Sequence, residues 1–332
     1  MLLKRAARVL LHSMGGLAVL TGVRRRSSRV LMFHSFRDED KANLDSICSD
    51  IARRFHPVSL ADIVEAADGR KSLPDYAVTV TVDDAYRSYL DHGHAVFRRH
   101  RIPVTLFAVS DFSDGRLWLW PDQIQFALER TSSLSLRAEL EPGRTIELDL
   151  SSPEKKLHAV HSLTEALKLA QDDKRLAFMS RVGILTGVEI PDSVPPNFAP
   201  MDWRDLRAVA SEGVEVGCHT ATHPILSKVT SRTKLEREIR GAKDILESRL
   251  GRPVRHFCYP NGRAIDIGPD AAALVRDAGF LSATTTTWGL NDVPFDPMAI
   301  RRLPFSSDTD VPYAAELLAG LHLPPNEILA AA

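Results

Sequence analysis

The feature that most constrains this chain is a repeated exchange between short, fully apolar runs and longer amphipathic stretches. Val30-Leu31-Met32-Phe33, Val78 to Val82 and Val104 to Val109 each read as a buried strand. The third is opened by Pro103, at a position where a missing N–H is tolerated. A helical stretch, Tyr86 to His100, separates the last two. After residue 200 the exchange resumes. Asp202 is the expected N-cap of a helix through Ser211 that Gly213 closes, and Val214 to Cys218 is the strand after it. Leu235, Ile239, Ala242 and Leu246 mark one face of a helix ended by Gly251 and Pro253. His256 to Tyr259, Leu281 to Thr285 and Ala299 to Leu303 complete the set of strands, and Pro312 to Leu321 reads as a C-terminal helix. Strands separated by helices call for parallel βαβ units rather than a sandwich. The 332 residues suffice for one α/β barrel or two smaller domains.

Two regions break the pattern. Apolar residues alternate from Leu134 to Leu140 and from Ile146 to Leu150 around Pro142-Gly143-Arg144, which is a hairpin signal. Two polar helices are expected next, at about 153–170 and 172–182, before a Pro-rich stretch at 191–200. Residues 126–200 therefore read as an insertion, a lid or one wall of a substrate cleft. Residues 1–28 form a separate segment, in which Lys4, Arg5 and Arg8 precede a weakly apolar stretch and Arg24-Arg25-Arg26 follow it. That stretch is shorter than the roughly 20 residues of a membrane span. Its charge order is that of a signal peptide, but no small-residue cleavage site precedes the arginines. The other reading is a basic amphipathic helix in peripheral contact with a membrane or a protein surface.

Composition narrows function by exclusion. The formal net charge of -1 gives no global field for nucleic acid. Cys48, Cys218 and Cys258 form no disulfide framework and no C-x-x-C pair, which favours a cytoplasmic or membrane-associated protein over a secreted one. The absence of G-x-G-x-x-G, P-loop and Gly-x-Ser-x-Gly motifs removes nucleotide-binding and serine-esterase readings.

The chemistry is concentrated after two strands. Asp83-Asp84 follows the run ending at Val82, and His219 and His223 follow the run ending at Cys218. In parallel α/β folds both positions open onto one face, at the carboxyl ends of the strands. Adjacent residues of an extended chain point apart, so one aspartate can bind a metal while its neighbour reaches the attacking water. Histidines four apart meet on one face if residues 220–223 form a helical turn. Two imidazoles and a carboxylate are the ligand set of a catalytic divalent metal with open positions, and the surplus carboxylate is a candidate general base. Taken singly, an Asp-Asp pair after a strand is commonly a helix cap or a solvated pair, and a lone His-x-x-x-His is often incidental.

With these residues in place, the chain resembles the polysaccharide deacetylase family, the NodB-homology or carbohydrate esterase family 4 group. Thr81-Val82-Asp83-Asp84-Ala85 is similar to its Thr-Phe-Asp-Asp-Gly motif, departing at Val82 and Ala85. His219-Thr220-Ala221-Thr222-His223-Pro224 matches its His-Ser/Thr-x-x-His-Pro motif, and Trp203 to Gly217 resembles the approach to it. Tyr259-Pro260-Asn261-Gly262 resembles the third motif. The resemblance runs from about residue 29 to 320 and is weakest over 126–200. It implies a distorted (β/α) barrel of about seven strands carrying a mixed hairpin and helical insertion. It implies Asp83 as general base, with Asp84, His219 and His223 holding one divalent ion, usually Zn2+, with Co2+ or Mn2+ as alternatives. The implied reaction is removal of N-acetyl groups from an amino-sugar oligo- or polysaccharide, such as a chitooligosaccharide, with release of acetate.

The resemblance also makes the Asn261 backbone N–H a candidate oxyanion donor and Tyr259 and Pro260 candidate substrate contacts. Many family members orient the base with an arginine two residues before the third-motif proline. Cys258 stands there, and Arg302 is the candidate replacement. For the general acid, Leu321-His322 approximates a late Leu-x-His motif. His34, at the end of the first expected strand, is the preferred candidate, against a plain hydrogen-bonding role across the barrel mouth. Trp118 and Trp120 are expected either to stack on sugar rings or to pack in a core. His92 and His94 are expected on the outer side of their helix, and His158 and His161 in solvent. Three competing functions stay open: an O-acetyl esterase, a non-sugar amide hydrolase, and a catalytically silent carbohydrate-binding homologue, the last suggested by Ala85 and Cys258.

Overall fold

The computed structural model describes residues 15–141 and 143–321. Residues 1–14 of the N-terminal segment, Pro142 of the expected hairpin turn and His322 lie outside the described residues. The strands, in chain order, are β1 (Arg29–Phe33), β2 (His56–Pro57), β3 (Ala77–Val82), β4 (Val104–Ala108), β5 (Ser135–Glu141), β6 (Arg144–Asp149), β7 (Glu215–Cys218), β8 (His256–Cys258), β9 (Ser282–Trp288) and β10 (Ile300–Pro304). β1, β10, β9, β8, β7, β4 and β3 pair in that order, all parallel, and the β1–β3 pairing closes them into a seven-stranded barrel. The two-residue β2 adds to the N-terminal end of β3. The barrel expected from the sequence is the one observed.

The unbroken apolar runs conceal a division between two faces. Leu31, Phe33, Val78, Val80 and Val82 join the core between the strands and the surrounding helices. Their alternates Val30 and Phe107 join Cys258 and Ile300 in a separate cluster with the helix Leu60–Ala66. Phe107 needs room there: a Cβ on Gly217 would lie 2.5 Å from its ring. Thr79, Thr81, Thr105, Thr284 and Arg302 are also buried, so polar side chains accompany this second set.

Helix boundaries follow the local chemistry. Asp202 caps the helix Trp203–Ser211 with a reciprocal bond from Asp205, a capping box. The helix over Arg232–Leu250 contains a π turn at Arg237–Gly241 and ends where Gly251 turns left-handed at φ 66°. The helix after β3 likewise has a π turn, at Tyr89–Gly93. His94, expected on the outer side of that helix, is instead buried between the Tyr89 hydroxyl and Glu212, at 3.2 and 3.0 Å.

Between β4 and β7 the antiparallel β5–β6 hairpin packs with the helices Trp120–Arg130, Pro153–Lys168 and Asp172–Met179 around their own apolar core. Ala159, Leu163 and Leu167 line up on the buried face of Pro153–Lys168. Full burial of a leucine contributes about 1.5–3 kcal/mol, so a charge at Leu163 would weaken this core. Trp120 lies in this core with the Arg175 guanidinium 5.2 Å from its ring.

Candidate active site

His34, Asp83, His219 and Tyr259 are each the first residue past a strand end, and the last three remain tied to the ladder. The Asp83 N–H donates to the Phe33 carbonyl (2.8 Å), His219 to Ala108 (2.9 Å) and Tyr259 to Thr284 (3.1 Å). Asp83, Asp84, His219, His223, Asn261 and His34 thus converge on one mouth, at the edge of a cleft of about 840 Å³. Backbone conformation there is costly. Asp84, Ala85, Thr220, His223 and Asn261 all have φ between 57° and 70°, a region disfavoured for residues with a Cβ. Ala85, where the family motif has glycine, is fully buried at φ 58°.

This backbone corrects one expectation. Residues 220–223 form no helical turn. A tight loop with Thr220 and His223 left-handed brings the two imidazoles to a centroid distance of 4.8 Å. The loop is held from below by Glu238, whose buried carboxylate accepts from the N–H groups of Ala221 (3.0 Å) and Thr222 (2.8 Å) and from the Thr222 hydroxyl (2.8 Å). Glu238 sits in the π turn, and nothing in its sequence surroundings marks it.

The donor set fits a metal ion. His219 Nε2 and His223 Nε2 lie 3.5 and 3.4 Å from Asp84 Oδ1, a buried atom with no hydrogen bond. Ligand atoms at about 2.0–2.1 Å around a tetrahedral ion are about 3.3 Å apart, close to this spacing. His219 Nδ1 is 2.7 Å from the Cys258 carbonyl, which fixes the tautomer that turns a lone pair on Nε2 toward Asp84. Burial pushes the Asp84 carboxyl up to about 6, with His219 opposing the rise and Asp83 adding to it. Burial, and next His219, holds His223 below its ordinary value, which keeps it neutral as a ligand must be. Asp83, His219 and Cys258 form a second group of close donors, but the Arg302 guanidinium lies 2.8 Å from Asp83 Oδ2 and 3.3 Å from Cys258 Sγ. A cation already occupies that corner.

Arg302 organises the surroundings of Asp83. Its Nη1 and Nη2 meet the two Asp83 oxygens at 2.7 and 2.8 Å, Nη1 also reaches Thr81 Oγ1 (3.0 Å), and Nε donates to the Thr285 carbonyl (2.8 Å). The position two before Pro260 holds a small thiol, and a guanidinium from β10 fills the space beside it. Burial would raise the Asp83 carboxyl, but Arg302 holds it well below the usual carboxylate range. His34 Nε2 stands 3.7 Å from Asp83 Oδ2, with nearly half of its side chain (46%) accessible. It nonetheless sits in a concave mouth, where loss of water lowers its pKa against the pull of Asp83.

The third-motif turn places Asn261 at φ 58°, and among the described residues nothing accepts its backbone N–H. Tyr259 and Pro260, expected as substrate contacts, are buried and do not line the cleft. Their packing sets the turn, with Tyr259 against Phe257. Trp118 is likewise withdrawn, packed against Phe126 and Phe198 at 7% exposure. In its stead the insertion supplies His161, Thr164, Glu165 and Lys168, one stripe of the helix Pro153–Lys168, as a cleft wall. His161 is exposed, as expected, and its exposed side faces the cleft. Glu165 bridges Lys168 (2.6 Å) and Arg263 of the third-motif loop (3.5 Å). On the opposite side the Tyr86 hydroxyl donates to Asp122 (2.8 Å), whose carboxyl burial pushes up to about 7. Thr286 and Trp288 of β9 also line the cleft and carry no motif.

Residues 180–282 match the profile described as polysaccharide deacetylase, a stretch that includes both histidines and the third-motif turn. No curated protein sequence matches the chain. Among solved structures, a Streptococcus pyogenes deacetylase, PplD, described in complex with acetate, superposes with a TM-score of 0.56 at 12% identity, covering 90% of this chain and 99% of that one. IcaB from Ammonifex degensii gives 0.56 at 18%, covering 89% and 98%. A de-N-acetylase from Aggregatibacter actinomycetemcomitans gives 0.51 at 15%, covering 86% and 97%. At such identities the likeness speaks for the fold. The chain thus has the fold of NodB-like deacetylases, and over residues 180–282 it resembles the polysaccharide deacetylase family.

Proposed function

We propose that this protein is a metal-dependent hydrolase that removes N-acetyl groups from an amino-sugar oligo- or polysaccharide and releases acetate. The observation that carries this reading is the bidentate Arg302–Asp83 pair standing beside three convergent ligand atoms. Asp84, His219 and His223 would hold one divalent ion, zinc by family habit. Bound there, such an ion supplies Lewis acidity toward an acyl oxygen and a water.

The protein's own groups account for the rest. Asp83, kept ionised by Arg302, takes a proton from the attacking water at a carboxylate oxygen. The Asn261 N–H donates to the acyl oxygen as negative charge develops on it. His34, across the mouth, delivers a proton to the amine as the carbon–nitrogen bond breaks, leaving acetate and a free amino sugar. Its open side suits a group that must exchange protons with solvent between turnovers.

The test is acetate release from a panel of acetylated glycans, including chitooligosaccharides and acetylated xylan, by metal-loaded protein. Asp83→Asn should lower turnover by roughly 10²–10⁴ while about one metal ion per chain is retained. Undiminished turnover in that variant would remove Asp83 as the base. Release from xylan alone would favour an ester substrate, and glycan binding without release would favour a silent homologue.

A further inference from the structure

We infer that the face of the barrel opposite the cleft docks on an anionic lipid surface through the helix Gly16–Val23 and the arginines after it. Arg24 to Arg26 precede β1, and the Arg25 carbonyl accepts from the N–H of Tyr76, just before β3. The segment therefore lies at the N-terminal ends of strands whose other ends carry Asp83 and His34. The helix packs on the C-terminal helix Val311–Leu318 through one face only. Leu17 and Thr21 are buried, whereas Val19 is 68% and Val23 74% exposed. The position of the helix is firmly set. Arg24 donates to the Gly320 carbonyl (2.6 Å), and the fully buried Arg29 donates to the carbonyls of Leu318 (2.6 Å) and Ser27 (2.7 Å).

Charge selects the occupant. Residues 1–28 contain Lys4, Arg5, Arg8, Arg24, Arg25 and Arg26 and no acidic residue, in a chain of net charge -1. Arg26 is exposed and has no ion-pair partner among the described residues. Two exposed β-branched residues one helical turn apart, bordered by arginines, fit a bilayer interface, where apolar side chains enter the acyl boundary and guanidinium groups meet phosphates. A second copy of the chain docked on this face would bring Arg24, Arg25 and Arg26 against their own copies and be repelled. Among the described residues no helix is long and apolar enough to cross a membrane. The catalytic mouth would then face away from the lipid, toward a polymer in solution.

The test is flotation of the full chain with vesicles of phosphatidylcholine alone or mixed with phosphatidylglycerol. Binding should require the anionic lipid and weaken at high salt. Arg26→Ser should reduce it about fivefold, and Val19→Ser with Val23→Ser at least about tenfold, with melting temperature and acetate release unchanged. No flotation with anionic vesicles, or flotation indifferent to the valine substitutions, would overturn the inference. So would a dimer in sedimentation that the valine substitutions dissolve.

Discussion

The barrel mouth and the helical wall contributed by the insertion border the same cleft and are built by opposite means. At the mouth the backbone and the base of the cleft are fixed: Asp83 is 3% exposed and clamped at both oxygens, and five left-handed residues set the loops. The wall is an ordinary helix whose His161, Thr164, Glu165 and Lys168 repeat at 3, 4 and 7 residues and are held by rim ion pairs. Chemistry demands fixed positions, whereas a wall needs only a direction to face. Substitutions at the mouth should therefore change turnover, and substitutions on the wall should change substrate affinity.

The largest expected effect tests the rigidity of the mouth. Arg302→Met leaves Asp83 buried without its counter-charge, and should cost about 3–5 kcal/mol of stability and most of the activity. Denaturant unfolding and acetate release measure the two, and a variant as stable as the parent would show that the clamp is not structural. Next is His34→Ala, expected to lower kcat about a hundredfold with little change in melting temperature. An unaltered kcat would leave His34 as a hydrogen-bonding residue and return the acid to an unassigned group. On the wall, Lys168→Ala should raise KM a few-fold at constant kcat, and an equal fall in kcat would erase the distinction between the two regions. The smallest effect is Ala85→Gly. It relieves a Cβ at φ 58° and should add about 1 kcal/mol of stability.

The sequence disclosed the barrel because period and punctuation agree over most strands: Pro103 opens one, Gly213 and Gly251 close helices, and the apolar runs are long enough to span. It pointed to Asp83, Asp84, His219 and His223, which the fold brings to one mouth, because strand-end position and residue type point the same way. It did not disclose how the histidines meet, since nothing in Thr220-Ala221-Thr222 announces left-handed backbone held by a carboxylate sixteen residues on. The wall was hidden for a different reason. A polar stripe facing a water-filled cleft has the same pattern as one facing bulk solvent, so His161 and Lys168 carry no signal of their own. Trp118 misled in the reverse sense, because an indole near a lone proline looks equally suited to a sugar ring and to a core. His94 shows the same ambiguity, a polar residue buried by two specific partners that spacing does not reveal.

The Arg302–Asp83 pair joins residues 219 positions apart, one just past β3 and the other on the last strand to enter the barrel. A chain still lacking β10 has the carboxylate but not the cation that makes its burial tolerable, and the open barrel gives that carboxylate no reason to leave water. Closing the ring and arming the site are then a single event. Activity in this protein would serve as a readout of complete folding, and a truncation that trims β10 would lose function before it loses most of its secondary structure.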